Sequence, residues 1–260
     1  KKPFVKANTY ENNCRAPLEL HLIPWFEDRP VGSIRSADIQ RYINETSTRF
    51  APETVKKDYT LLKFIFSTAV DNGYCTLNPV ASTIRLPKPQ TTVEKRAYTQ
   101  EQYYIVYNFA KTHPHGLHIM MLMETGISRS ELLGLRWEDL DLPNGQVHIT
   151  QGLVTMRDSD TEKWVTASDG LKNKHRQRVI PLIDKDLIRK LMGRPRTITA
   201  GGSLTRGIPG RRTDMEYVFY STMGKAYQPN NWDKRVYKRF MADLHATHPE
   251  LPLLTAHELR

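Results

Sequence analysis

Thr125-Gly126-Ile127-Ser128-Arg129-Ser130-Glu131-Leu132-Leu133-Gly134-Leu135-Arg136-Trp137-Glu138-Asp139-Leu140-Asp141 marks the point where an all-helical chain becomes a mixed one. Upstream, Leu117 to Met123 reads as an apolar helix that Glu124-Thr125-Gly126 ends. Inside the stretch, Leu132, Leu133 and Leu135 give a further helix its buried face. Downstream, Pro143-Asn144-Gly145 signals a turn, after which Val147-His148-Ile149-Thr150 alternates as a strand, and so does Trp164-Val165-Thr166. Arg178-Val179-Ile180-Pro181-Leu182 is a third strand candidate. Helical spacing returns over 184–192 and 230–245, and Thr197–Asp214, rich in Gly and Arg, lies between them as a loop or insertion. This half of the chain therefore predicts helices around a small three-stranded antiparallel sheet.

Working towards the N-terminus, Thr99-Gln100-Glu101-Gln102 opens a helix with an N-cap and an early acid. Residues 84–96 combine two prolines with polar residues and clustered charge, the composition of a linker. Before them the pattern is helical only. Residues 8–28 carry Leu18, Leu20, Leu22, Ile23, Trp25 and Phe26 at helical spacing with Pro17 ill-placed among them, and Pro30-Val31-Gly32 breaks the run. Ser36-Ala37-Asp38 caps a helix with Ile39, Tyr42 and Ile43 on one side. Pro52-Glu53-Thr54 starts a longer one whose stripe is Val55, Tyr59, Leu62, Ile65, Phe66, Ala69 and Val70, stopped at Asn72-Gly73. The predicted division is a helical domain of four or five helices over 1–86, a basic linker over 87–98 and an α+β domain over 99–260. The fold class is mainly α with a small antiparallel β-sheet.

At 260 residues and 39% hydrophobic content the chain buries a real core. No apolar run approaches a membrane span, and Lys1-Lys2-Pro3-Phe4-Val5-Lys6 holds no apolar stretch of secretory length. Cys14 and Cys75 have no Cys or His at zinc-ligand spacing and read as reduced thiols. Net charge is +10, and both halves share it: residues 1–98 have 15 Lys+Arg against 10 Asp+Glu, the remainder 23 against 18. A basic excess in both halves suits a protein that meets a polyanion with both.

The chemistry rests on basic residues. Gly-x-Ser-x-Gly, His-Glu-x-x-His and a phosphate loop ending in Gly-Lys-Ser/Thr are all missing. His113-Pro114-His115 with His118 makes a poor metal set, since no acid or thiol lies near in sequence. Lys172, Lys174, Arg176 and Arg178 recur at period two, so on an extended strand they form a cationic stripe about 20 Å long. Such a stripe serves several phosphates of one nucleic-acid strand, although lone clusters of this kind are usually solvated hairpin faces. His257-Glu258-Leu259-Arg260 puts a His and an Arg three apart, on one face of a helix, where a fork and a proton donor converge on one group.

Order and context give these motifs meaning. The chain resembles the tyrosine recombinase (phage integrase) family over nearly its whole length. The stretch 125–141 is similar to that family's first conserved box, Leu171–Leu182 to its hairpin with the catalytic lysine, and Leu254-Thr255-Ala256-His257-Glu258-Leu259-Arg260 to its second box. The front half, down to Asn78-Pro79 and the linker, resembles the helical core-binding (SAM-like) domain, and 99–260 the recombinase catalytic domain. The resemblance implies a C-shaped clamp around duplex DNA. It implies attack of a tyrosine on the scissile phosphate, giving a 3′-phosphotyrosyl link and a free 5′-hydroxyl, with no cofactor and no metal. By the same resemblance Arg129 and Arg260 hold the phosphate, Lys172 is the general acid, and His257 assists proton transfer or holds the phosphate. The expected DNA contacts are Lys174, Arg176, Arg178, Lys56, Lys57, Lys63, Lys95 and Arg96. The expected partners are double-stranded DNA and further copies of the chain in a dimer or tetramer, in the bacterial cytoplasm at the nucleoid. The long 150–171 segment and the 197–214 insertion resemble integrases of mobile elements.

The sequence departs from the family pattern in two places. The family's first arginine is followed by x-Ser-Glu or x-x-Glu, which puts Ser128 in its place and Arg129 one residue later. One residue turns a helical side chain by about 100°. Either an irregular helix start lets Arg129 serve, which is the expectation adopted, or the position has lost its arginine and the protein is a non-catalytic DNA-binding clamp. The family's tyrosine follows the second box by some tens of residues, whereas all twelve tyrosines here precede it. Tyr217, Tyr220, Tyr227 and Tyr237 read as core or surface residues. The nucleophile is accordingly expected beyond residue 260, with residues 1–260 binding DNA and leaving it uncut. Lys172 is preferred over Lys174 because the family lysine lies about nine residues before the hairpin's closing proline. A basic RNA-binding protein is disfavoured, since no aromatic sheet motif is present.

Overall fold

Two prolines shape the first helices. The computed structural model describes residues 5, 7–80, 83–88, 96–157, 161, 163–170, 177–199, 212–222 and 224–259. Residues 7–26 are helical throughout, but between α1 (Ala7–Tyr10) and α2 (Ile23–Phe26) the helix widens to π-type turns over Glu11–Arg15 and Leu18–Leu22. Pro17 and Pro24 have no N–H to donate, and their rings press on the preceding turn. The wider turns take up the mismatch, so the ill-placed proline bends the helix without ending it. A 3₁₀ turn at Val31–Ser33 leads into α3 (Ser36–Ser47) and then α4 (Pro52–Asp71). Ser36 is the first residue of α3 and its hydroxyl donates to the Pro79 carbonyl. The Asp38 carboxylate turns back to the Arg35 N–H at 2.9 Å and does the capping.

The chain divides into two compact units, Lys1–Glu94 and Lys95–Arg260, each with its own core. In the first, Ile39, Tyr42 and Ile43 of α3 meet Val55, Leu62 and Phe66 of α4, with Leu22 and Phe26 closing the cluster. A carboxylate sits inside it. Asp58 is fully buried and accepts from Tyr42 Oη at 2.6 Å and from His21 Nδ1 at 2.9 Å. Burial, and then the neighbouring Asp58 carboxylate, raise the Tyr42 hydroxyl far above its ordinary range, so it stays a donor.

In the second unit, the Thr99 hydroxyl caps α5 (Gln100–Thr112), and α6 (Gly116–Thr125) is buried almost all round, as a helix at the centre of a core must be. Gly126, at φ 62°, ends α6 in the left-handed region. After it come α7 (Arg129–Gly134), β1 (Leu140–Asp141), β2 (Gln146–Ile149), β3 (Gln151–Arg157), β4 (Trp164–Gly170) and β5 (Arg178–Pro181). Then follow α8 (Lys185–Met192), β6 (Thr197–Thr199), β7 (Arg212–Asp214), α9 (Pro229–Trp232), a π-type turn at Asp233–Tyr237 and α10 (Lys238–Thr247).

The strands exist where expected, but their pairing differs. The three-stranded sheet is β1-β2-β5, antiparallel throughout. With both edges of β2 taken, the Trp164 strand pairs instead with β3, in register from Gln151↔Gly170 to Arg157↔Trp164. The ends of the supposed 197–214 loop also pair, as β6 and β7, while 200–211 lie outside the described residues. The histidines are engaged locally. His118 is buried, accepts the Trp232 indole N–H at 3.0 Å and is held well below its usual pKa by burial, while His113 meets Asp243 at 3.0 Å. No described helix is long and apolar enough to cross a membrane.

Candidate active site

Two chain segments reach one cavity by the same local device. Ser128 stands before α7 in extended conformation, its hydroxyl accepting the Glu131 N–H at 3.3 Å and its own N–H donating to the Glu131 carboxylate at 2.7 Å. At the second box, the Thr255 N–H donates to the Glu258 carboxylate at 2.7 Å, and the Glu258 and Leu259 amides turn back to the Thr255 carbonyl. Ser/Thr-x-x-Glu closes a first helical turn by pairing orphan donors with the glutamate. A cavity of about 340 Å³ lies between the two turns. Ser128, Arg129 and Ser130 line one side, Thr255, Ala256 and His257 another, and Asp233 brings a carboxylate.

The structure thus brings Arg129 and His257 together. Arg129 is half-buried, and among the described residues its guanidinium has no ion-pair partner. Ser128 also faces the cavity, but its hydroxyl and amide are committed to the capping box. Ser128 is the extended N-cap of α7 and Arg129 is its first residue, so the helix start is a regular capped one rather than the irregular start expected.

Glu131 supports this edge of the cavity. It is 4% exposed and accepts from Arg178 Nη1 at 3.0 Å and Arg178 Nη2 at 3.2 Å as well as from the Ser128 N–H. Burial alone raises its pKa, but the Arg178 fork and the Ser128 donors outweigh it and hold the carboxyl below its usual range. Arg178, expected as a DNA contact, is thus joined to Glu131. On its other side α7 lies backbone to backbone on β3. A Cβ on Gly134 would stand 3.0 Å from the Gly152 Cα, and one on Gly152 would stand 3.3 Å from the Ser130 Cβ. The Gln151 side chain fastens the contact by donating to the Gly134 carbonyl at 2.9 Å.

The remaining expected site residues fall in three groups. Lys56, Lys57 and Lys63 are exposed on α4, where Lys56 and Lys63, seven apart, share a face. Arg96 is exposed and its Nη2 donates to the Leu253 carbonyl at 3.3 Å. Lys172, Lys174, Arg176, Lys95 and Arg260 lie outside the described residues. None of the twelve tyrosines lines the cavity. Tyr237 is buried and donates to the Leu254 carbonyl at 2.7 Å, Tyr220 donates to the Pro195 carbonyl, and Tyr217 and Tyr227 are half-buried. Sequence reasoning missed Ser130, Asp233, Thr255, Glu131 and Glu258 as parts of the site. The paired Ser-x-x-Glu and Thr-x-x-Glu spacings were the available signal for all but Ser130 and Asp233.

Residues 1–85 match the phage integrase central domain model. The chain is 26% identical over 252 residues to a XerC-like tyrosine recombinase of Caldanaerobacter subterraneus subsp. tengcongensis, covering 92% of this chain and 61% of that protein. It is 27% identical over 189 residues to the transposase from transposon Tn916 of Enterococcus faecalis, covering 71% of this chain and 45% of the relative. The chain therefore spans less than two thirds of these relatives' length. Among solved structures, the Tn1549 transposon integrase in complex with a circular intermediate DNA aligns with a TM-score of 0.71 at 21% identity, over 98% of this chain and 79% of that one. A lambda integrase dimer bound to a core site aligns with a TM-score of 0.61 at 20% identity, over 99% and 81%. At these identities the structures report a shared fold.

Proposed function

We propose that the chain is a tyrosine recombinase, the core-binding and catalytic portion of a site-specific integrase of a mobile element that cuts and rejoins duplex DNA through a 3′-phosphotyrosyl intermediate; the match to the phage integrase central domain, the recombinase and transposase relatives and the integrase-like fold support this reading. The observation that carries this reading is that Arg129, whose guanidinium has no ion-pair partner among the described residues, lines one polar cavity together with His257. A guanidinium held without a carboxylate is a seat for an anion, and a fork of two N–H donors matches two phosphoryl oxygens. As the tyrosine oxygen attacks phosphorus and the bond to the 5′-oxygen breaks, negative charge builds on the non-bridging oxygens. Arg129 and Arg260 stabilise that charge, His257 takes the proton that the attacking tyrosine hydroxyl gives up or holds the phosphate, and Lys172 delivers the proton that the departing 5′-oxygen needs. Rejoining on a partner duplex reverses these transfers, which requires a dimer or tetramer of the chain on DNA in the bacterial cytoplasm.

On this proposal the attacking hydroxyl comes from outside residues 1–260; in support, no tyrosine lines the cavity, and the Tyr220 and Tyr237 hydroxyls donate to backbone carbonyls. Residues 1–260 alone are expected to bind duplex DNA and form no covalent adduct. The test is a nicked duplex spanning the element's end, incubated with the natural protein and resolved on a denaturing gel. A protein–DNA band that is lost when the nucleophilic tyrosine becomes Phe is the expected result. Arg129→Ala should cut its rate of formation by about 10²- to 10³-fold while binding survives. Specific, salt-sensitive binding without a band would favour the second reading, a non-catalytic duplex-DNA-binding protein. Ser128 at the first arginine position is the observation behind that alternative.

A further inference from the structure

We infer that Arg178 is a positioning residue rather than a phosphate contact: through Glu131 it locks the start of α7, which carries Arg129, to β5, the strand that follows the lysine segment 171–176. The inference rests on the recombinase reading for its catalytic consequence, but its structural content stands on the geometry alone. Arg178 opens β5, which is hydrogen-bonded into the sheet from Arg178↔Ile149 to Pro181↔Gln146. Its two terminal nitrogens reach the two Glu131 oxygens, at 3.0 and 3.2 Å, the two-point contact that a planar guanidinium makes and an ammonium does not. The Glu131 oxygen that meets Nη2 also accepts the Ser128 N–H at 2.7 Å. One carboxylate, 4% exposed, thus joins a strand to the residue immediately before Arg129.

The sheet is the rigid member of this pair. The six-residue α7 has fewer than two turns, and its first turn is held by the capping box and by Arg178. Removing the fork leaves Glu131 buried with the Ser128 donors only. Its carboxylate then swings towards water and releases the Ser128 amide, and Arg129 loses its fixed approach to the cavity. A displacement of about 1 Å at a catalytic group costs on the order of 10²-fold in rate. A direct phosphate ligand behaves otherwise: its loss weakens binding and lowers the dependence of log K on log salt by about one, and Lys restores much of both.

The experiment measures adduct formation, DNA affinity and salt slope for Arg178→Ala, Arg178→Lys, Glu131→Gln and the Arg178→Ala/Glu131→Gln pair in the natural protein. Hydrogen exchange at the Ser128 amide is followed in the same proteins without DNA. The expected result is a rate loss near 10²-fold for both Arg178 variants, with affinity and slope unchanged. The double variant should be no slower than the slower single one, as residues acting through one contact require. Ser128 exchange should quicken at least tenfold in Arg178→Ala. Rescue by Lys, a slope lowered by one, or multiplicative losses in the double variant would overturn the inference while leaving the recombinase reading intact. If the unmodified protein forms no adduct and binds DNA without salt dependence, that reading fails. The Ser128 amide then decides the positioning role, and unchanged exchange would end it.

Discussion

Asp58 in the first unit and Glu131 in the second are both carboxylates taken out of water, 0% and 4% exposed, yet the two units put them to different uses. Asp58 lies among α3, α4 and the Leu18–Leu22 turn, where Tyr42 and His21 meet it, and His21 stacks on Phe50 at 4.5 Å. The three elements it joins enclose the core. Glu131 lies two residues from the Arg129 that lines the cavity, and its partner Arg178 keeps 36% of its side chain exposed. A buried charge is expensive to keep and costly to strand. The first unit uses that cost to fix how its helices pack. The second uses it to stiffen the rim of a site whose Arg129 has no ion-pair partner among the described residues.

The largest expected effect breaks the first of these arrangements. His21→Ala strands the Asp58 carboxylate with Tyr42 as its remaining side-chain donor, which should cost the first unit about 3–5 kcal/mol. Amide exchange in α3 and α4 should quicken by more than two decades, at about 1.4 kcal/mol per decade, while exchange in α7 is unchanged. Loss of protection in α7 as well would mean that the two cores do not stand apart as the comparison requires.

Gly134→Ala tests the second unit's rim from the other side. In an exposed helix this change gains about 1 kcal/mol. Here the new methyl meets the Gly152 Cα at 3.0 Å and the Leu153 backbone N at 3.1 Å, and strand backbone held in a ladder does not yield as a side chain does. Overpacking of this kind costs about 1–3 kcal/mol, so the sign reverses. Thermal denaturation of the whole chain reads it, and a variant as stable as the parent or more so would show that α7 is free to move off β3. Adduct formation should fall with stability, because the same shift carries Arg129 away from His257.

How much of this was legible beforehand differs between the fold and the site. Helices α3 to α8 and α10 follow from apolar spacing and from punctuation at Pro52, Gly73, Thr99 and Gly126, since burial of one face is a local pattern. Pairing is not local. Nothing in Trp164-Val165-Thr166 states that β2 already has Leu140–Asp141 on one edge and Arg178–Pro181 on the other, and a two-residue strand such as β1 is below what alternation can reveal. At the site, Arg129 and His257 were named as residues, but their convergence depends on two turns 127 positions apart, Ser128–Glu131 and Thr255–Glu258. The contact of Arg178 with Glu131 was not legible for a physical reason: period-two spacing says which face of a strand a charge occupies, and says nothing of a buried carboxylate beside it.

The smallest effect separates the cations of the two units. Lys63 is exposed on α4, and among the described residues its ammonium has no ion-pair partner; its carbonyl accepts from the Asn78 side-chain amide at 3.1 Å. Lys56 shares its face, although Lys56 and Lys57 also border a cavity beside Thr9, Asn13 and Cys14, which makes Lys63 the cleaner probe. Lys63→Ala should leave stability unchanged, weaken DNA binding a few-fold regardless of sequence, and lower the salt slope by about one. Arg178→Ala should do the reverse, sparing the slope and slowing the chemistry. The two variants assayed on one duplex across a salt series therefore sort cations that meet phosphate from a cation that holds a carboxylate. An unaltered slope for Lys63→Ala would remove this face of α4 from the interface, and the basic excess of the first unit would then need another surface to act through.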